Sequence, residues 1–229
     1  MRPIWSCFLR RNVLPCLLFG FSSLAGQTSS GAGAATRSPH SVQHSSLDSG
    51  IVTSGLYRNP SFGFSYKVPF GWVERTAEMG EDSSNDKPTD PSQAQVLLAV
   101  FERPPEASGE TVNSAVVIAA ESVKSYPGLK TAVDYFTPLE EVTKAKGFKV
   151  ANEPYEFSVG TKKLAREDFS KELGKLTMQQ ASLVMVQKGY VISFTFIAGS
   201  PDEVDELIAG LSFAPILKPN SPPDAKAKK

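Results

Sequence analysis

Few side chains in this 229-residue chain could do chemistry, and their positions exclude whole classes of reaction. There are two histidines, His40 and His44, and two cysteines, Cys7 and Cys16. A four-residue separation would set both imidazoles on one face of a helix, as a metal site needs. The surrounding stretch from Gln27 to Ser54 is rich in Ser, Gly, Ala and Thr, which argues against a helix and for solvated linker histidines. Both cysteines fall in the first 25 residues. From Leu56 onward there is neither imidazole nor thiol. That excludes Ser-His-Asp and Cys-His nucleophilic catalysis, each of which needs an imidazole to carry the proton. Zinc sites built from nitrogen and sulfur go with them. No Gly-x-Gly-x-x-Gly turn and no phosphate-cradling loop ending in Gly-Lys-Ser/Thr is present.

Carboxylates are what remain. Glu140 with Glu141 and Glu167 with Asp168 are adjacent pairs, and a carboxylate-based hydrolase would need two acids that converge. Neighbours on a strand point to opposite faces, and neighbours on a helix diverge by about 100°. Neither pair converges by local geometry, so solvated charged faces are expected. Glu81, Asp82, Asp86 and Asp90 lie in a polar stretch, Met79 to Ser92, that reads as a long loop. A calcium loop places its oxygen ligands at close alternate positions with a glycine at the sharp turn. Here the aspartates are four apart, Pro88 and Pro91 intervene, and no glycine falls among them. The expectation is no catalytic residue, no metal and no cofactor. Tyr57 and Trp72 are the two side chains that could mark a partner surface, since aromatics anchor interfaces. Core packing beside Phe62 and Phe64 is the alternative fate of both.

Charge and compartment narrow the partners. The chain carries 24 basic and 24 acidic residues, with no basic excess to hold a nucleic-acid backbone. Arg2, Arg10 and Arg11 precede the apolar run Val13 to Phe21, and Ser23-Leu24-Ala25 has the small-x-small form of an export cleavage site. Residues 1–25 therefore read as a signal peptide, too short in its apolar core for a membrane span. Its removal leaves 21 basic against 24 acidic groups. Cys16 follows Val13-Leu14-Pro15, whereas a lipid-attachment cysteine follows a small residue, so a lipid anchor is not expected. An exported protein, periplasmic or extracellular, is the reading.

These side chains must be positioned by the elements that follow. Residues 26–54 read as a Ser/Gly-rich spacer, 55–215 as the folded domain and 216–229 as a solvated Pro/Lys/Ala tail. Phe62, Phe64, Tyr66 and Val68 fall at every second position, which puts three aromatics and a valine on one face of a strand. Pro69-Phe70-Gly71 then supplies turn chemistry, and Trp72 opens a further strand. Ala94 to Glu102 and Ser114 to Ser122 are apolar strands. Leu129 to Lys146 has helical spacing, with Thr137-Pro138-Leu139-Glu140 in the form of a capping box and Gly147 as its stop. Phe148 to Val159 and Lys162 to Leu173 are two more strands. Thr177 to Gln187 and Tyr190 to Ala198 form a hairpin about Lys188-Gly189. Ser200-Pro201-Asp202-Glu203 caps a last helix with Val204, Leu207, Ile208 and Leu211 on its apolar stripe, and Phe213 follows beneath the sheet.

Tyr57-Arg58-Asn59, Phe62-Gly63-Phe64-Ser65, Pro69-Phe70-Gly71-Trp72 and the closing Leu211-Ser212-Phe213 resemble the motifs of the PsbP-like family. That group includes a Ran-binding nuclear transport factor and bacterial exported relatives of the DcrB type. The likeness spans about residues 56 to 213. It implies an α+β fold: a three-layer α/β/α sandwich around a mainly antiparallel sheet, with no catalytic centre. Leader and spacer fit the bacterial exported branch. Together these readings point to a non-enzymatic binding or assembly module with a protein partner in the cell envelope. A small-molecule carrier, its pocket between the sheet and the helix at Leu129 to Lys146, is the alternative, and a carboxylate-based hydrolase a third.

Overall fold

Apolar side chains at alternate positions on the longest strands decide where the core lies. The computed structural model describes residues 47–84 and 94–213; the leader, both histidines, both cysteines, Asp86, Asp90 and the tail lie outside them. In chain order the elements are β1 (Ile51–Thr53), β2 (Leu56–Asn59), β3 (Phe64–Lys67), β4 (Val73–Glu74), α1 (Thr76–Ser84), β5 (Gln95–Phe101), β6 (Ala115–Ser122), α2 (Phe136–Ala145), β7 (Lys149–Val159), β8 (Lys162–Leu173), β9 (Leu176–Gln187), β10 (Tyr190–Ala198), α3 (Pro201–Ile208) and β11 (Leu211–Ser212). They form a seven-stranded sheet in the order β4-β5-β6-β10-β9-β8-β7 and a four-stranded one in the order β1-β2-β3-β11. Every pairing is antiparallel. The expected α+β class with a mainly antiparallel sheet is what is found.

The two faces of the large sheet are covered differently. On one, Ile192, Phe194 and Phe196 of β10 meet Tyr57, Phe62, Phe64 and Tyr66 from the small sheet and Val204 and Ile208 from α3. Ring pairs fix that contact: Phe64 to Phe194 at 5.0 Å and Tyr66 to Phe196 at 6.1 Å between centroids. On the other face, Tyr135, Phe136 and Leu139 cover Ala165, Val184 and Val191, while Met79 of α1 packs on the cluster of Ala99, Val117 and Ile197. The molecule is layered as expected, but one outer layer is composite. The aromatic hairpin is roofed by the aromatics of the large sheet, not by a helix.

Local chemistry explains where the boundaries differ from the sequence reading. The spacer must be shortened, because Ile51–Thr53 pairs with β2 and Leu47 packs on the core. Met79 lies in α1 rather than in a loop. Its sequence has no apolar stripe, and its start is fixed from outside: Ala99 N donates to Thr76 Oγ1 at 3.1 Å, and Arg75 N to Ala99 O at 2.8 Å. The capping box at Thr137 does not form. A 3-10 turn at Val133–Tyr135 runs directly into α2, so Thr137 is inside the helix and Tyr135 precedes it without a side-chain cap. Pro138 is tolerated because the first turn needs no amide hydrogen. Leu211 leaves the α3 stripe and joins β11, opposite Tyr66. The hairpin at Lys188-Gly189 is as read, with φ of 52° and 79°, the left-handed pair a two-residue type I′ turn requires.

Gly210 makes the crossing from α3 to β11 close enough to seal the core. A Cβ there would lie 2.9 Å from Tyr66 Cε2 and 3.1 Å from Lys67 O, and Gly210 O accepts from Lys67 N at 2.9 Å. Gly210→Ala is expected to cost ~1–3 kcal/mol through overpacking. Urea denaturation with an unchanged slope measures it; a loss below about 0.5 kcal/mol would show that Tyr66 yields without strain.

Candidate binding cleft

The turn after β3 is the start of the site. Trp72 N donates to Pro69 O at 3.3 Å and Gly71 has φ of 81°, so Pro69 to Trp72 is a type II turn whose third position requires glycine. The turn leaves Phe70 fully exposed at its tip, while Trp72 is half-buried against the aromatic core. Trp72 forms one wall of an open cleft of about 770 Å³. The others are Glu102 at the end of β5, Val112 and Ser114 before β6, Lys175 and Leu176 at the β8–β9 turn, and the first turns of α3.

Hydrogen bonds hold the segments that carry the lining of this cleft. Asn113 clamps the Arg103 backbone, accepting from its N–H at 3.1 Å and donating to its carbonyl at 2.9 Å. Ser114 N donates to Glu102 Oε2 at 3.3 Å. Ser200 caps α3 by accepting from Glu203 N at 3.2 Å, and Glu203 Oε2 accepts from Gly199 N at 2.9 Å. The helix start is thus closed by its own side chains and offers an anion little. Glu102, Glu203 and Glu206 line the cleft against one cation, Lys175, so its field is acidic.

Of the two aromatics expected to mark a partner surface, one is corrected. Tyr57 is buried: its hydroxyl donates to Ser49 O at 2.6 Å and accepts from Asn59 Nδ2 at 3.1 Å. Burial pushes that phenol up to about 12. Its ring serves the core and cannot meet a partner. Trp72 does reach a concave surface. Phe70, which the sequence reading treats as turn chemistry, is fully exposed; its position ahead of glycine in a tight turn is the signal that could have found it.

The carboxylates do not make an accessible catalytic pair. Asp168 turns to Arg166, with Nε to Oδ1 at 2.8 Å, and away from Glu167. Glu167 instead meets Glu140, beneath α2 and sealed from solvent. Burial, then the Glu140 charge, pushes its carboxyl up to about 8. A third acid, Glu121, is also buried and raised by burial, and it accepts from the Tyr126 and Tyr135 hydroxyls, the latter at 2.5 Å. Among the described residues no group of three or more His, Cys, Asp or Glu could hold a metal. The interface proposed for a carrier pocket is filled: Phe136, Leu139 and Thr143 of α2 are buried there.

No family model matches the chain, and no curated protein matches it. Among solved structures it is similar to a cyanobacterial PsbP from Synechocystis, at 16% identity, 71% of this chain and 95% of that one, with a TM-score of 0.44. It is also similar to LpqN of Mycobacterium tuberculosis, described as involved in cell envelope biogenesis, at 12% identity, 64% and 76% coverage and a TM-score of 0.35. The Ran-binding protein Mog1p of Saccharomyces cerevisiae follows at 10% identity, 66% and 90% coverage and a TM-score of 0.37. All three are likenesses at low identity. These overlaps carry no argument about activity. No helix of the described residues is long and apolar enough to cross a membrane.

Proposed function

We propose that this chain is an exported, non-enzymatic binding module of the bacterial PsbP-like type, which docks a protein partner of the cell envelope through the cleft beside Trp72. One observation carries the reading: an aromatic wall and an acidic rim adjoin Phe70, a large apolar side chain held fully in solvent by a rigid turn. Exposed aromatics on rigid supports lose little entropy on docking and act as anchors. The Glu140–Glu167 pair gives the hydrolase reading no support, because Glu167 is buried beneath α2.

Incorporation of a photo-crosslinking amino acid at position 70 of the full chain, expressed in cells, tests this. Position 51, also exposed and on β1, serves as control. A discrete adduct is expected from position 70 only, and it should disappear with Trp72→Ala. Equal labelling from both positions, or none from 70, would reject the cleft as a docking surface. Mass measurement of the purified protein is expected to place its amino terminus at Gly26.

A further inference from the structure

Glu167 sits mid-way along β8, on the face that α2 covers, with none of its surface exposed. Among the described residues no hydrogen-bond donor reaches either of its carboxyl oxygens. What does touch it is another carboxyl, Glu140, in the second turn of α2. Two ionised carboxylates present only acceptors, and their charges repel. The contact can therefore be made only while one proton lies between them. A cation is a poor substitute, since these two acids do not belong to any metal-holding cluster among the described residues.

The other groups facing this pair do not remove the repulsion. Lys144, one turn further along α2, pairs with Glu140 at the surface and bears on Glu167 less than Glu140 does. Glu153 of β7 adds a second negative charge. The β9 register partner is Ser182, which does not titrate. Lys171, further along β8, donates to the Lys146 carbonyl at 2.6 Å. Thr143, on the same buried side of α2, also has no partner for its hydroxyl among the described residues.

We propose that α2 is a proton-dependent latch: the Glu140–Glu167 pair holds it to the sheet while sharing a proton and expels it when both acids ionise. Expulsion would uncover Phe136 and Leu139 and the sheet residues Ala165, Val184 and Val191 beneath them. The sign follows from proton counting. With α2 undocked, Glu167 is in water near its ordinary value of 4.5; docked, burial and Glu140 raise it to about 8. The docked state binds more protons between those values, so docking weakens as pH rises through that window and levels off above it.

Hydrogen exchange of α2 amides in the full chain, corrected for intrinsic rates, reads the latch directly. Opening is expected to rise more than tenfold between about pH 5 and about pH 9, since one proton released on undocking weakens docking by up to about tenfold for every pH unit crossed inside the window. Amides of β9 and β10 should not follow. Glu167→Gln keeps the shape of the protonated acid and should stay closed at both ends of the range. Should that variant fail to fold, Glu140→Gln, placed nearer the surface, carries the test: its amide can donate to the Glu167 carboxylate, which moves the midpoint of the opening to a pH lower by about one or more. Glu121→Gln should leave the α2 response as in the wild type, because two phenols already serve that acid. An unchanged pH response in Glu167→Gln, its loss in Glu121→Gln, or a Glu167 carboxyl carbon titrating near 4.5 by NMR would overturn the proposal.

Discussion

Phe64→Ala is expected to remove ~3–5 kcal/mol of stability, the cost of deleting a buried aromatic ring and leaving its cavity. The ring has no exposed surface and stands where the small sheet meets the large one. Its centroid lies 5.8 Å from Tyr57, 5.0 Å from Phe194 and 6.1 Å from Phe213, so it touches β2, β10 and the residue after β11 at once. Collapse around an alanine is limited, because the backbone on either side is tied. Phe64 pairs with Asn59 in register, and Val68 N donates to Gly55 O at 2.8 Å. For a domain of this size the loss corresponds to a fall in Tm of roughly 6–20 °C. Phe70→Ala is the matched control: a phenylalanine six positions on but wholly exposed, whose removal should change stability by less than about 0.5 kcal/mol. Urea denaturation of both variants compares them. If Phe64→Ala costs under about 1 kcal/mol, the two sheets do not interlock through this ring.

That contrast shows what kind of information lies in the chain alone. The alternation through Phe64, Tyr66 and the β10 strand is local and periodic, so the buried face could be read without coordinates. Ser200 and Glu203 were legible as a cap for the same reason, although the glutamate reaches Gly199 N in place of the cap residue's own amide. Gly147, with φ of 85°, ends α2 as its position indicates. What could not be read depends on contacts between distant segments. α1 has a polar composition and is seeded by hydrogen bonds to β5. β1 lies in a Ser/Gly-rich stretch and becomes a strand only because β2 offers it an edge. The carboxylates make the point most sharply. Adjacent acids were the pairs visible in sequence, and they diverge as strand and helix geometry demands. Glu140 and Glu167 are 27 positions apart and meet only because α2 lies across β8. Phe70 lies between the two classes, since only its place ahead of Gly71 in a tight turn distinguishes it from a core phenylalanine.

Arg166→Ala is expected to cost about 3 kcal/mol, at the lower end for breaking a buried ion pair. Its side chain is 9% exposed, and it joins three elements from the middle of β8. Nε meets Asp168 Oδ1 at 2.8 Å, Nη1 meets Asp205 Oδ1 of α3 at 2.9 Å, and the guanidinium lies 4.9 Å from the Phe157 ring centre on β7. The two ion pairs are not equal. Asp205 is largely exposed, so water screens that arm and its loss should cost under about 1 kcal/mol, which Asp205→Asn measures. Asp168 is nearly as buried as the arginine and would be left with only neutral donors, Asn152 Nδ2 at 3.2 Å and the Tyr155 hydroxyl at 3.0 Å. The penalty therefore comes from an uncompensated carboxylate, not from lost attraction alone. Arg166→Met separates the two, because it keeps an apolar stem over Phe157 and removes the charge. Combined with Asp168→Asn, it should recover most of the loss, since no charge is then left without a partner. A double-mutant cycle by denaturation supplies the coupling. Were the two single losses simply to add, Arg166 and Asp168 would be uncoupled, and the penalty would not come from a carboxylate left without its partner.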